Sequence, residues 1–158
     1  TKIVAVVQGE DKVKAHLCAD LIRGLGYNKL CISYGADWYG DTPLNKALGR
    51  INFVKELLED KRYKDTKFHL LGCAVPQEFG WYRNESQIES IDTSSPIMAA
   101  LEDIVYTKSG LIEKPTANMN THFDIDPEEI DYNKILKNVK RFRTINGLAY
   151  IQNIPGKN

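Results

Sequence analysis

The strongest constraint on this chain is a repeated alternation of two patterns. A short, continuously apolar run is followed by a longer segment whose apolar residues recur every three or four positions. Ile3 to Gln8 is apolar, of strand length, and stopped by Gly9. Asp11 to Leu25 follows, with Val13, Leu17, Leu21 and Leu25 at i, i+4 spacing. This predicts an amphipathic helix with that stripe as its apolar face, ended by Gly24 and Gly26. Lys29 to Tyr34 is a second strand, and a polar loop runs from Gly35 to Asp41. Thr42 caps a helix with Pro43 at its first position and Leu44, Ala47, Leu48, Ile51, Val54, Leu57 and Leu58 on one face. Phe68 to Cys73 is a third strand, and Pro76 opens a short helix or turn to about Trp81. Gln87 to Asp92 is a fourth strand. Ser94-Ser95-Pro96 caps a helix from Ile97 to about Tyr106.

Four strand–helix repeats predict an α/β fold of parallel β/α units joined by right-handed crossovers. The sheet is either a half-barrel or a small open sheet with TIM-barrel-like connectivity. The strands are apolar runs rather than alternating ones, which predicts a sheet covered on both faces. Residues 1–106 form this β/α domain. Residues 107–158 form a loop, a C-terminal helical arm and a frayed tail from 150, packing on the domain or on a partner subunit. Asp126-Pro127-Glu128-Glu129 predicts the helix start, with Ile130, Ile135, Val139 and Phe142 as its stripe.

At 158 residues the chain can bury a core but cannot make a complete eight-stranded barrel, which takes about 250. Twenty-one basic and 21 acidic residues give zero formal charge, so no overall positive field gathers nucleic acid. No apolar run has the length of a membrane span. The opening Thr1 to Val7 is too short for a signal peptide and is expected to be a buried strand. Cys18, Cys31 and Cys73 are odd in number and widely spaced, so they read as core thiols in a reducing cytoplasm, with no metal site.

In parallel α/β sheets ligands bind beyond the carboxyl ends of the strands. Those ends carry Gln8, Gly9 and Glu10, then Tyr34, Gly35 and Asp37, then Gly72, then Asp92, Thr93 and Ser94. An amide and carboxylates can read the edge of a purine base, and glycines let a flat ligand approach the backbone. Trp38, Tyr39, Trp81 and Tyr82 lie in the adjoining loops and can stack on it. Each residue also has a plainer use. Gln8 can satisfy strand-end backbone groups, Asp92 can cap the next helix, and Trp38 and Trp81 can be packing or oligomer contacts. His69, inside an apolar strand, reads as a core residue, and His16 as solvent-facing. The basic end of the last helix complements the helix dipole, with phosphate binding as its other use.

The order Val6-Val7-Gln8-Gly9, Ile32-Ser33-Tyr34-Gly35, His69-Leu70-Leu71-Gly72 and Ser90-Ile91-Asp92-Thr93-Ser94-Ser95-Pro96 resembles the C-terminal half of the tRNA-guanine transglycosylase barrel. It is most similar to the short transglycosylase-like proteins of bacteriophages, over about residues 2–105. The resemblance implies that Gln8 bonds a guanine or deazaguanine base and that Gly35 and Gly72 line its pocket. It also implies that Asp92 is the carboxylate that attacks the anomeric carbon of the ribose. The family's other acid/base half and its Cys/His zinc cluster have no counterpart in this sequence.

Two functions are therefore expected. The leading one is a viral, cytoplasmic protein that binds a purine base or nucleotide without cofactor or turnover, sequestering a host messenger in immune evasion. The alternative is a transglycosylase or nucleoside hydrolase with Asp92 as nucleophile and Glu10 or Asp37 as acid/base. Two raw sheet edges predict a homodimer, with the loop aromatics and the tail as contacts.

Overall fold

The computed structural model describes residues 3–114 and 124–147. The fold is α/β. Strands β1 (Ala5–Val7), β2 (Lys29–Ser33), β3 (Lys67–Leu71) and β4 (Ile88–Ile91) form one sheet in the order β1-β2-β3-β4. All three pairings are parallel, in register Val6 to Cys31, Cys31 to His69 and His69 to Ser90. A bulge shifts the last pairing beyond Phe68 and Ile88.

Helix α1 (Lys12–Gly24) joins β1 to β2, and α2 (Pro43–Glu59) joins β2 to β3. A 3-10 stretch at Pro76–Tyr82 joins β3 to β4. Helix α3 (Ser95–Leu101) follows β4, and α4 (Tyr132–Ile145) closes the described chain. Asp11 and Thr42 cap α1 and α2 by accepting from the amides of Lys14 and Asn45, as their sequence positions require.

One apolar core joins alternate strand residues to every helix. Val7, Leu30, Ile32, Phe68 and Leu70 pack with Ala15, Ala19, Ile51, Val54, Leu57, Phe79, Ala99 and Phe142. The strand residues of opposite parity, Val6, Cys31, His69 and Leu71, stand outside that core. The helices therefore lie on a single face. This corrects the expectation of a sheet covered on both faces. Crossovers of one hand, laid down in one direction along the sheet, put every helix on the same side.

Three further expectations are corrected. The stripe Val13, Leu17, Leu21 and Leu25 is exposed, and α1 packs instead through Ala15, Ala19 and Ile22. Small side chains bring that helix close to the sheet, so the greasier stripe faces outward. Helix α3 stops at Leu101, short of Tyr106, because Asp103 takes a left-handed φ of 61°. Asp126 caps only the 3-10 turn Pro127–Glu129. The helix proper begins at Tyr132, with Asp131 accepting from Lys134 N. Fully buried Asn138 then fastens α4. Its amide donates to the carbonyls of Pro96 and Ile104, and its oxygen accepts from Tyr106 N. The tail from 150 lies outside the described residues. Among the described residues no helix is long and apolar enough to cross a membrane.

Arg50, on the inner face of α2, is fully buried and forks onto fully buried Glu78 at 2.5 and 2.9 Å. Its remaining hydrogens reach the carbonyls of Ile32 (3.2 Å), Leu71 (2.8 Å) and Gly72 (3.1 Å). Burial pushes the Glu78 carboxyl up, and the guanidinium opposes that rise. Glu78→Ala leaves an unpaired buried cation and is expected to cost about 3–5 kcal/mol, read as a lower urea midpoint. Arg50→Met with Glu78→Leu should recover only part of this, because the carbonyls of Ile32, Leu71 and Gly72 lose the Arg50 guanidinium, and of the three Leu71 O keeps the Tyr34 N–H. A single-variant loss below about 1 kcal/mol would show that this pair does not hold the sheet together.

Candidate functional site

The carboxyl ends of the strands carry the predicted residues, and their local geometry separates them into three groups. At β1 and β2, a cavity of about 110 Å³ is lined by Gln8, Gly9, Ser33, Gly35, Ala36, Trp38 and Tyr39. The Gln8 side chain is exposed, while its backbone N–H points at Cys18 Sγ. Trp38 is half-buried. Its indole N–H donates to Gly9 O at 3.2 Å, and its ring meets Tyr39 and Phe53 edge-on. It is a packed wall of the cavity.

The glycines differ in use. A methyl added at Gly9 would lie 2.4 Å from Ala15 N, so its smallness admits the start of α1. A methyl at Gly72 would lie 2.3 Å from the Tyr34 ring, and Gly72 has a φ of 66°. Only at Gly35 of the three would a methyl meet no more than ordinary contact, with Ser33 Oγ at 3.6 Å.

At β3 and β4, Asp92 accepts from Gly72 N–H at 2.8 Å and makes a long 3.4 Å contact with His69 Nε2. His69 Nδ1 lies 2.7 Å from Ser90 Oγ. A carboxylate can only accept, so Nε2 carries a hydrogen, and in the neutral ring Nδ1 accepts from the Ser90 hydroxyl. His69 is thus a bridging residue on the bare sheet face, which corrects its reading as a core residue. His16 is corrected too. It is half-buried against Phe53 and bonds Glu56 at 2.9 Å. Asp92 is tied to the neighbouring strand and does not cap α3. The α3 turn is closed by Thr93, whose hydroxyl accepts from Ser95 N at 3.0 Å. Ser94 is exposed and makes no capping bond.

The third group is a cation that no local pattern predicts. Gln77 clamps Leu111 from both sides, through Nε2 to Leu111 O and Oε1 to Leu111 N. That clamp delivers Lys114 onto Tyr34, where it bonds the hydroxyl and sits 4.1 Å from the ring centroid. Lys114 is 80 positions from Tyr34, so periodicity could not reveal it.

The other predicted residues stand apart. Glu10 is exposed and pairs with Lys14. Asp37 is fully exposed, with Lys46 at 3.7 Å. Trp81 is exposed over Lys55 of α2, on the helix layer. Tyr39 and Tyr82 are buried, so of the four loop aromatics only Trp81 offers a largely free ring. The basic residues Lys137, Lys140 and Arg141 line a separate surface groove along α4. Cys73, at the end of β3, is buried, and burial pushes its thiol up to about 12, so it supplies no thiolate at neutral pH. Among the described residues no three His, Cys, Asp or Glu side chains gather as a metal site.

Compared with family models, curated proteins and solved structures, the chain matches none of them. What fold and site define together is a parallel β/α protein with a small polar cleft at its strand ends.

The glycines give a direct check. Gly72→Ala should lose about 1–3 kcal/mol through its left-handed φ and the Tyr34 clash. Gly35→Ala should stay within about 0.5 kcal/mol. Thermal unfolding of both variants compares them, and equal losses would refute the geometry.

Proposed function

We propose that the strand-end edge binds a purine base or small purine nucleotide. The observation that carries this is the cavity beside Gln8 and Gly35, which has an aromatic wall, a free amide and one open glycine. At about 110 Å³ it is well below the roughly 300 Å³ of a typical ligand pocket, which suits one planar ring system and not a large ligand. Gln8 reads the base edge as both donor and acceptor. Counted from Gln8, Gly72 lies two strands across and Asp92 three, roughly 10 and 14 Å by inter-strand spacing, where the sugar side of a nucleotide extends. Lys114 supplies a cation for a phosphate.

The resemblance to transglycosylase-like barrel proteins belongs to this proposal, as does a cytoplasmic role in sequestering a nucleotide messenger. One observation favours the enzymatic reading. Asp92 is fixed by Gly72 N–H while its side chain is still more than half exposed, as an attacking carboxylate requires. Against it, Glu10 and Asp37 are held by Lys14 and Lys46 and neither contacts Asp92.

Titration calorimetry with guanine, guanosine, GMP and cyclic guanine nucleotides tests the proposal. Binding of a guanine compound is expected, weakened about tenfold or more by Gln8→Ala, since a hydrogen-bonding edge contributes about 1.5 kcal/mol. Ligand released on denaturation should be intact by mass spectrometry. No binding across the panel, or full affinity in Gln8→Ala, would sink it. Cleaved ligand that becomes intact in Asp92→Ala would establish the enzymatic reading instead.

A further inference from the structure

Helix α1 has three sides, and one of them has no partner among the described residues. Its inner side, Ala15 and Ala19, packs on the sheet. One flank turns to α2 and the Lys61–Tyr63 turn. There Lys12 and His16 both reach Glu56, and Asp20 takes Arg62 and Tyr63. At 100° per residue the stripe Val13, Leu17, Leu21, Leu25 starts on the outer surface and winds to the opposite flank. These four side chains are 68%, 56%, 70% and 77% exposed.

That flank overhangs β1, which pairs only with β2 among the described residues and also exposes Ile3, Val4 and Val6. Among the described residues no strand continues the sheet at β1, and no helix stands beyond α1 on the same side. At the far end of the sheet, β4 also pairs with a single neighbour among the described residues, β3. Helices α3 and α4 beside it expose Ile97, Tyr132 and Leu136.

We propose that a second copy of this chain docks here, about a two-fold axis along the strands. The β1 edge and α1 stripe of each copy meet the β4 edge and the α3–α4 pair of the other. The arrangement satisfies both open edges of both copies at once and is closed, so it stops at two. A largely exposed Leu presents on the order of 100 Å², so the seven side chains at the two ends of the sheet present about 700 Å² together. They approach the roughly 800 Å² that each partner contributes to a standard interface. Zero net charge sets no repulsion between copies. This docking needs no ligand in the strand-end cavity, although a ligand that reached both copies would strengthen it. Its contacts differ from the loop aromatics expected from sequence, three of which the core consumes.

Light scattering on the eluting chain at micromolar concentration should give twice the 17.9 kDa chain mass. Leu17→Glu with Leu21→Glu should halve it to the monomer, with the circular dichroism spectrum unchanged because both positions face solvent. Tyr132→Glu with Leu136→Glu should do the same from the other side. A monomeric parent chain, or a dimer that survives either pair of changes, overturns the proposal.

Discussion

Parallel strands laid down in chain order with crossovers of one hand can carry helices on only one face, and the rest of this structure follows from that constraint. Odd and even positions of each strand acquire different fates. Phe68 and Leu70 enter the core, while His69 between them enters a polar array with Ser90 and Asp92. Cys31 shares that outer face, and its thiol is pushed up by burial, with Lys29 and Asp92 close enough to act on it. Lys29 also reaches across to Glu89 of β4. A face without helices is thus finished with paired polar groups, which keeps a parallel sheet from presenting an unbroken apolar surface.

The same constraint decides how the strand ends are held. The carbonyls at the ends of β2 and β3 accept from Arg50, which reaches them from α2 in the helix layer. Gly72 links this buried fork to the surface. Its carbonyl accepts from Arg50, and its amide donates to Asp92. A fully buried cation and a largely exposed carboxylate are therefore one residue apart in a hydrogen-bond chain. Functional side chains keep their geometry when the groups behind them are rigid, and here that rigidity comes from an α2 residue with no contact to the cavity.

Strands and helices were legible because period 2 and period 3.6 are written in residue order. Which face of an element turns inward was less so. Hydrophobicity picks Leu17 and Leu21 as the packing face of α1, yet close approach to the sheet selects Ala15 and Ala19. Arg50 is a charged residue among apolar ones on α2, and sequence gives no sign that Glu78, 28 positions on, will neutralise it. Gln8, Gly35 and Asp92 were legible as strand-end residues, because topology alone places them. Lys114 was not, since a loop clamp at Gln77 and Leu111 decides where it goes. Asp126 shows the limit of a local signal. It caps as its sequence predicts, but the chain leaves helical geometry one turn later.

The open β1 edge bears on the cavity as well as on assembly. Gln8 and Gly9 terminate the edge strand, so among the described residues the cavity has protein on the β2 side and no strand beyond β1. A second copy seated on that edge would add a wall to the cavity and raise the burial of whatever ring occupies it. A ligand that contacts both copies stabilises the pair by the same free energy with which the pair improves its binding. Affinity for a base would then rise with protein concentration. In a cavity complete within one chain, affinity would not depend on protein concentration.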